Sequence, residues 1–423
     1  MARPRLVALI AGTSGAKLYS MGLNILALAL TARWLGPDGR GILATLTTWV
    51  NTAAMLASLS LGSVAMQRLA GCRDSARFGD VFHALLRFAW ILAICAWGVM
   101  ALLWLARGSA LFGNAPAWAL ALACLMLPCL VWEGYANALL TTIERLRVFN
   151  LSLVTGRSLM LLGLLCLAVL DGVTLAGVLA VSVLAQCWIA GYSFPTLRAW
   201  ARQHEAVGAS TAEGRALLHG GMRLHLNTVG TLALNMAGTL LIANMLGARE
   251  AGFFQLAQQL MTVLLVIPQS ASLVIYGRQG ELGPDGVWPL QRKMLLGVVA
   301  LTAIAGLAMA MSAHIWLPWV AGPGYEPAIP LLLAMLPILV MLSFSSMMAS
   351  QWIGRGLFLT ASLLTVLVGL VNLLASSVWI PEFGMMGAVY AQLLALLVAV
   401  FTNSSMALWC ELKSRRLRAE SGK

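Results

Sequence analysis

The chain has 423 residues, of which 60% are hydrophobic and only 10% are charged. A soluble globular domain carries roughly 25% charged residues, so this composition excludes a water-soluble fold and leaves no polar stretch long enough to form a soluble domain. The net charge of +12 would suit a nucleic-acid-binding protein, but in a chain this apolar it indicates basic loops on the cytoplasmic side of a membrane.

Long apolar runs recur along the chain and predict an all-α polytopic membrane protein with twelve spanning helices. The first residues, MARPRLVALIAGTSGA, look like a secretory signal peptide, but the apolar character continues to Leu35, which favours a retained first span. The predicted spans, bounded by charges, glycine or proline, are 10–34, 42–66, 82–106, 116–140, 149–170, 173–196, 218–246, 252–276, 293–317, 327–350, 357–379 and 384–409.

The polar stretch ARWLGPDGRG, residues 32–41, separates the first two predicted spans. We expect Gly36-Pro37 to end the first helix, Asp38-Gly39 to form the turn, and Gly41 to begin the second helix. The pentapeptide LGPDG recurs at 282–286, between predicted spans eight and nine. It therefore indicates turn chemistry rather than a functional signature.

The basic residues predict the orientation of the chain. If the N-terminus is cytoplasmic, nineteen basic residues lie in segments on that side and only four, Arg33, Arg40, Arg107 and Arg249, lie on the other. Because Lys and Arg collect in cytoplasmic loops, both termini are predicted to be inside. The seven cysteines form no CxxC pattern or Cys/His cluster, so we expect neither a disulfide framework nor a metal site.

Three sequence matches at nearly one spacing indicate an internal duplication. LNILALALTARWLG (23–36) matches LNMAGTLLIANMLG (234–247), MLPCLV (126–131) matches MLPILV (335–340), and AGVLA (176–180) matches MGAVYA (386–391). The chain is therefore predicted to consist of an N-terminal six-helix bundle, 1–205, and a C-terminal six-helix bundle, 206–423. An even number of spans in each half gives two parallel repeats around a central cleft, an arrangement typical of transporters that work by alternating access.

The stretch ARWLGPDGRGILATLTTWVNTAAMLASLSLGSVAMQR (32–68) resembles the beginning of bacterial polysaccharide exporters and Wzx-type O-antigen flippases. VAGPGYEPAIPLLLAMLPILVM (320–341) and VWIPEFGMMGAVYAQLLALL (378–397) are similar to that family's approaches to its tenth and twelfth helices. The resemblance covers most of the chain, in order. The superfamily also contains multidrug and toxin extruders (MATE) and lipid II flippases.

The resemblance implies a MATE-like V-shaped bundle in the bacterial inner membrane. It implies a role in O-antigen, lipopolysaccharide or other polysaccharide biosynthesis, in which an undecaprenyl-diphosphate-linked sugar repeat unit crosses the membrane. A glycan polymerase and glycosyltransferases are the partners it implies, besides the lipid-linked sugar and membrane lipids; nucleic acid is not a partner.

An anionic cargo needs cations inside the membrane, where an uncompensated charge costs about 2.5–3.5 kcal/mol. Lys17, Arg157 and Arg223 are the candidates for contact with a diphosphate. For Lys17 the alternative is snorkelling to the cytoplasmic interface, and for Arg223 it is interfacial anchoring. Arg33 and Arg40 are candidate cations at the outer mouth of the cleft, with headgroup anchoring as the alternative.

Three uncharged or acidic residues complete the predicted site. Asn24 and Asn235 are repeat mates that suit either helix–helix hydrogen bonding or contact with sugar hydroxyls. Glu133 is an acid inside the fourth span. It is predicted to be either an ion-coupling carboxylate or a salt-bridge partner of Arg157.

The chain contains no GxxxxGK[ST], GxSxG or HExxH motif, so we expect no catalytic residues, no cofactor and no ATP hydrolysis by a P-loop. A multidrug extruder of the same superfamily is the main alternative, although inner cations outnumber inner acids. A membrane-embedded glycan enzyme is a further alternative, which the short outer loops and the duplication disfavour.

Overall fold

The computed structural model describes the backbone of residues 3–69, 77–170, 172–204, 211–322 and 324–421. These residues form fifteen α-helices and one short 3₁₀ helix, Gly108–Phe112, and the described part contains no β-strand. The helices are α1 Arg3–Ala57, α2 Leu61–Arg68, α3 Arg77–Arg107, α4 Ala117–Cys124, α5 Leu127–Thr142, α6 Leu146–Val169, α7 Leu175–Gln203, α8 Thr211–Asn235, α9 Ala237–Met245, α10 Ala248–Leu264, α11 Val266–Ala321, α12 Ala328–Ala334, α13 Leu336–Gly354, α14 Phe358–Phe383 and α15 Met385–Ser421.

The helices confirm the predicted class, an all-α multi-pass membrane protein. Within the described residues, nine helices are long and apolar enough to cross a membrane, or up to eleven if each of two bent helix pairs forms one span. One of the nine, Leu18–Arg68, is interrupted by a corner at Gly36. The count of twelve stays a prediction.

The LGPDG pentapeptide forms the same corner at both of its positions. Gly36 has φ 66° and ψ 179°, and Gly283 has φ 70° and ψ 167°. Glycine adopts this left-handed φ without steric cost, and the proline that follows is preset for a first helical turn without needing an amide donor. Our expectation of a longer turn was wrong, because the corner is the single glycine and the next helix already includes Asp38, Gly39 and Gly41.

The MLP motif breaks a helix in both halves of the chain. Met126 lies between α4 and α5, and Met335 lies between α12 and α13, where the bend is 46°. Pro128 and Pro337 follow near the start of the new helix, where proline costs no helical hydrogen bond. An interruption of the helix thus recurs at positions that the duplication pairs, although Ala117–Thr142 still forms one candidate span.

Backbone contacts divide the chain into two compact units. Unit 1 comprises Met1–Thr228, Gly247–Gly252 and Val320–Pro323, and unit 2 comprises Val229–Leu246, Phe253–Trp319 and Gly324–Lys423. Unit 1 has a core that includes a cluster of rings: Phe82 lies 5.7 Å from Trp132, and Trp132 lies 5.8 Å from Phe194, between ring centroids. In unit 2, buried side chains of α13 and α15, such as Trp352 and Cys410, pack together. The boundary predicted at 205/206 stays a prediction.

Two glycines paired by the duplication meet inside unit 1. A methyl group added at Gly41 would lie 1.9 Å from the carbonyl oxygen of Ala248, and one added at Gly252 would lie 2.9 Å from the Cα of Gly41. The backbones therefore approach closely, as at small-residue contacts between membrane helices. An added side chain would meet a severe backbone clash at Gly41 and a mild one at Gly252.

An ion-pair cluster fixes the start of α8 within unit 1. Arg68 at the end of α2 and Arg77 at the start of α3 contact the Glu213 carboxylate at 2.9 Å and 2.7 Å. Burial by itself raises the pKa of Glu213, but the hydrogen bonds and charges of Arg77 and Arg68 outweigh it and hold that pKa below its usual value. The basic ends of two helices thus anchor the acidic first turn of a third.

Candidate functional site

Glu133 lines a pocket in unit 1 that combines polar and apolar side chains. Its volume is about 250 Å³, and α1, α5 and α6 line it. Besides Glu133, its polar lining residues are Asn51, Ser58 and Asn137. One carboxylate, two neutral amides and a hydroxyl thus lie in a wall that is otherwise formed by alanine, methionine, leucine, glycine and phenylalanine. Oxygen and amide groups of this kind suit a proton or a small hard cation.

The pocket lies beside a helix break that exposes backbone groups. Leu59 and Ser60, between α1 and α2, have φ of 45° and 55°. The Tyr135 hydroxyl donates to the Ser58 carbonyl at 2.9 Å, and the Ser60 hydroxyl lies 3.1 Å from that of Thr228. Breaks inside membrane helices need such partners, because lipid offers none, and they occur where transporters bind substrates or ions.

Glu133 is paired with an amide rather than with a cation. The Gln186 side-chain amide on α7 donates a short hydrogen bond to the Glu133 carboxylate. Among the described side chains, Glu133 forms no ion pair with Arg157 within 4.0 Å, so the predicted salt-bridge alternative is absent from this structure. The neutral amide donor holds the carboxylate in place without supplying a countercharge.

The predicted cationic residues fall partly outside the described side chains. The helical backbone at Lys17 and Arg223 is described, but their side chains lie outside the described part of the chain. Arg157 on α6 is half-buried. The Tyr19 hydroxyl on α1 lies 3.2 Å from the Ser158 hydroxyl, so the segments that carry Lys17 and Arg157 pack against each other.

The structure separates the two arginines of ARWLGPDGRG. Arg33 is exposed and lies next to Gly322 in unit 1. Arg40 is only 6% exposed, inside the first turn after the Gly36 corner. Arg40 thus lies in the resumed helix rather than in a loop, and its role as a cation at the outer mouth of the cleft stays a prediction.

A second broken helix carries Asn235 in unit 2. The bend between α8 and α9 is 48° and leaves helical carbonyls without their usual donors. The Asn372 amide donates to the carbonyls of Ala233 at 2.9 Å and Leu234 at 3.1 Å, and the Gln258 amide donates to that of Asn235 at 3.1 Å. The Asn235 side chain bonds within its own helix, while Asn24, its repeat mate, is exposed on α1.

The sequence reasoning missed Gln186, Gln258 and Asn372. Each is an uncharged amide inside an apolar helix, and a polar side chain there needs a partner. That signal marks the residues as important, but it does not say which carbonyl or carboxylate they meet. Within the described residues, no group of three or more His, Cys, Asp or Glu side chains could hold a metal ion.

Comparison with known proteins gives a family match and a shared fold. A family model described as "Polysaccharide biosynthesis protein" matches residues 7–276, more than half of the chain. A comparison with curated protein sequences finds no match.

Several solved structures share the fold. The lipid II flippase MurJ in an inward closed conformation is 13% identical, with a TM-score of 0.72, over 93% of this chain and 87% of that one. An inward-facing multidrug resistance MATE family transporter of the MOP superfamily is 16% identical, with a TM-score of 0.68, over 92% and 94%. An outward-facing structure of such a transporter is 17% identical, with a TM-score of 0.62, over 97% and 96%. Identities this low show a common fold and carry no function over to this chain.

Proposed function

Since the chain belongs to the polysaccharide biosynthesis protein family, we propose that it is a flippase for lipid-linked sugars. The cargo is an undecaprenyl-diphosphate-linked oligosaccharide or polysaccharide repeat unit, and it crosses the membrane by alternating access. The family match carries this proposal. The likeness to a structure described as a lipid II flippase supports a fold that accommodates a lipid-linked cargo.

The basic side chains within the membrane helices contact the negatively charged diphosphate of the cargo. Arg157 contacts the diphosphate, together with Lys17 and Arg223 from their helices. Arg33 lies at the outer side, where the cargo leaves, and Arg40 supports that side from within the helix. Asn24, which is exposed on α1, contacts sugar hydroxyls. Asn235 contributes through the broken helix that it ends.

Glu133 supplies the coupling to an ion gradient. Glu133 lines a pocket of about 250 Å³, and its carboxylate accepts a hydrogen bond from a neutral amide donor. Protonation or cation binding there would change the charge of the pocket, and a charge inside a membrane protein is costly enough to bias a conformational equilibrium. The chain needs no cofactor for this mechanism.

A multidrug extruder is the second candidate function. The observation that favours it is the same pocket, because a single carboxylate among neutral groups also suits an organic cation. The membrane-embedded glycan enzyme ranks below both.

The proposed setting is the bacterial inner membrane with both termini in the cytoplasm, as the nineteen-to-four distribution of basic residues indicates. Glycosyltransferases that build the repeat unit and a polymerase that consumes it are the proposed partners, and O-antigen or lipopolysaccharide synthesis is the proposed pathway class. The repeat into halves 1–205 and 206–423 underlies the alternating access.

The test is a transport assay in proteoliposomes that contain the purified chain. Movement of an undecaprenyl-diphosphate-linked oligosaccharide between leaflets is compared with uptake of an organic cation. We expect the lipid-linked sugar to move and Arg157→Gln to slow it by about tenfold or more, the value of one lost charge-assisted contact. Arg147→Gln, an exposed arginine on the same helix, is the matched control. Movement of the cation alone would refute the flippase proposal in favour of the extruder.

A further inference from the structure

A groove runs between α6 and α7 on the surface of unit 1. Both helices are long and apolar enough to cross a membrane. The groove has a volume of about 570 Å³. We call it the α6–α7 groove and define it by Leu159, Gly163, Leu184, Trp188, Gly191 and Tyr192. None of these residues has a role in the proposed transport of sugar.

The shape of the α6–α7 groove is set by close helix packing and by one hydrogen bond. A methyl group added at Gly163 would lie 2.7 Å from a side-chain carbon of Val181, so the two helices approach closely at this level. The Trp188 indole donates to the Thr155 hydroxyl at 2.9 Å, which holds the ring in place as one wall. A methyl group added at Gly191 would have no atom within 4 Å. The missing side chain of Gly191 thus keeps the groove open.

The exposed side chains of the groove suit an apolar chain. Leu184 is 63% exposed, Trp188 47% and Tyr192 37%. Within a membrane, exposed side chains of this kind contact acyl chains, because polar groups there need partners that lipid does not offer. The Trp188 N–H already has its partner in Thr155. The occupant of the groove is therefore a hydrocarbon chain.

Two arginines continue the same face of α7 beyond the groove. Arg198 and Arg202 follow Gly191 by seven and eleven residues, spacings that return to one face of an α-helix. They lie about 10 Å and 16 Å farther along the axis than Gly191. Both are exposed, and within the described part of the chain neither forms an ion pair within 4.0 Å. The apolar groove thus leads to a pair of positive charges.

The length of this surface matches one leaflet of a bilayer. Arg198 and Leu184 are fourteen residues apart, which is about 21 Å along a helix. Half of a bilayer, with its headgroup region, measures about 20–22 Å. Arg198 and Arg202 also belong to the basic residues of the predicted cytoplasmic side. A lipid of the inner leaflet that places its phosphate at these arginines would lay a chain along the groove.

The charge of this surface favours an anionic lipid over other occupants. Two copies of the chain related by a twofold axis along the membrane normal would place the same residues at the same depth. Arg198 and Arg202 would then face their own equivalents, and like charges repel. A zwitterionic lipid brings a cation together with its phosphate, whereas an anionic phospholipid brings only the charge that the arginines attract.

We propose that the α6–α7 groove binds an anionic phospholipid of the inner leaflet, of the phosphatidylglycerol type. The phosphate oxygens accept hydrogen bonds from Arg198 and Arg202. One acyl chain passes Gly191 and lies in the groove beside Trp188 and Leu184. This site is separate from the residues proposed to contact the sugar cargo.

The headgroup is tested by native mass spectrometry of the full chain, released from detergent and titrated with lipids of identical acyl chains. We expect phosphatidylglycerol to bind more tightly than phosphatidylcholine. Arg198→Gln and Arg202→Gln should each weaken phosphatidylglycerol binding about fivefold and change phosphatidylcholine binding by less than about twofold. The control is Arg107→Gln, at an exposed arginine that ends α3 and does not line the groove. It should change the binding of either lipid by less than about twofold.

The acyl chain is tested by filling the groove. Gly191→Leu adds a side chain that begins in open space, so the fold should accept it. It should weaken phosphatidylglycerol and phosphatidylcholine alike by about fivefold, the value of roughly ten lost carbon–carbon contacts. Gly98→Leu is the matched control, because Gly98 is an exposed glycine of α3 that also has no atom within 4 Å.

Four results would overturn the proposal. Phosphatidylcholine could bind as tightly as phosphatidylglycerol, so that the arginines would select no headgroup. Gly191→Leu could bind phosphatidylglycerol as wild type does, so that the chain would lie elsewhere. Undecaprenyl phosphate could bind more tightly than phosphatidylglycerol and be displaced by Gly191→Leu, which would assign the groove to the tail of the cargo. A dimer that Gly191→Leu dissociates would assign it to a second copy of the chain.

Discussion

Replacing Gly41 by alanine should destabilise the protein through a backbone clash. The added methyl group would lie 1.9 Å from the carbonyl oxygen of Ala248, whereas ordinary contact begins at 3.4 Å, so the two backbones must separate by the difference of 1.5 Å. At Gly252 the nearest atom is the Cα of Gly41 at 2.9 Å, which requires a shift of only 0.5 Å relative to the same limit. Both obstacles are backbone atoms and cannot rotate away.

Each of these substitutions has one destabilising and one stabilising contribution to the free energy of folding. Overpacking costs about 1–3 kcal/mol, while alanine gains about 0.5–1 kcal/mol over glycine in a helix interior. We expect a net loss of about 2 kcal/mol for Gly41→Ala and a loss near zero for Gly252→Ala. Gly22→Ala is the matched control, because it lies in the same helix α1 with no atom within 4 Å, and it should gain about 0.5 kcal/mol.

The assay is thermal unfolding of the detergent-solubilised protein, followed by the loss of the monodisperse peak in size-exclusion chromatography. The predicted order of unfolding temperatures is Gly22→Ala highest, then wild type, Gly252→Ala and Gly41→Ala. If Gly41→Ala unfolded at the same temperature as Gly22→Ala, the close backbone contact would not exist in the folded protein. If Gly252→Ala unfolded at a lower temperature than Gly41→Ala, the distance from the added methyl group to the facing backbone would not determine the loss of stability.

Three further predictions concern side chains. Asn372→Leu should lower the free energy of unfolding by about 1–3 kcal/mol, because two carbonyls at the helix break lose their donor. The control is Ser377→Ala, at an exposed position on the same helix. If both substitutions lowered the unfolding temperature equally, the role of Asn372 would be contradicted. The lowered pKa of Glu213 means that its stabilisation is complete above its usual pKa of 4.5 and is lost as pH falls through the lower folded value. Glu213→Gln should therefore reduce stability at pH 7 and flatten the difference from wild type in acid, as thermal unfolding at several pH values would reveal, and a constant difference would refute this. Glu133→Gln should remove the dependence of transport on an imposed ion gradient in proteoliposomes, and an unchanged dependence would reject the coupling role.

The local features of the fold were predictable because they depend on neighbouring residues. A glycine followed by proline predicts the corner at Gly36, and the same letters predict the one at Gly283. The helix breaks at Met126 and Met335 were not predicted, because the spans 116–140 and 327–350 were expected to be continuous. The predicted turn at residues 36–41 was too long. The sequence does not show that Gly36 alone turns the chain, so that Arg40 lies buried in the next helix.

The candidate site was predictable only in its residue types. Glu133 was identified as an acid inside an apolar helix, but its partner is Gln186, 53 residues away, and not Arg157. Asn235 was identified through its repeat mate, whereas the amide that supports its helix break comes from Asn372 on α14. The spacing of these residues in the sequence does not indicate which of them form hydrogen bonds with each other.

Composition and hydropathy are sufficient to identify a multi-pass membrane protein, and each LGPDG pentapeptide indicates a turn, because hydropathy and backbone sterics act over a few residues. The fold is needed to show that Gly41 meets the backbone of Ala248, that Asn372 and Gln258 donate to the broken helix, and that Glu133 lines a pocket. The physical reason is that each of these depends on atoms brought within about 3 Å, hydrogen-bonding distance, from helices far apart in the chain.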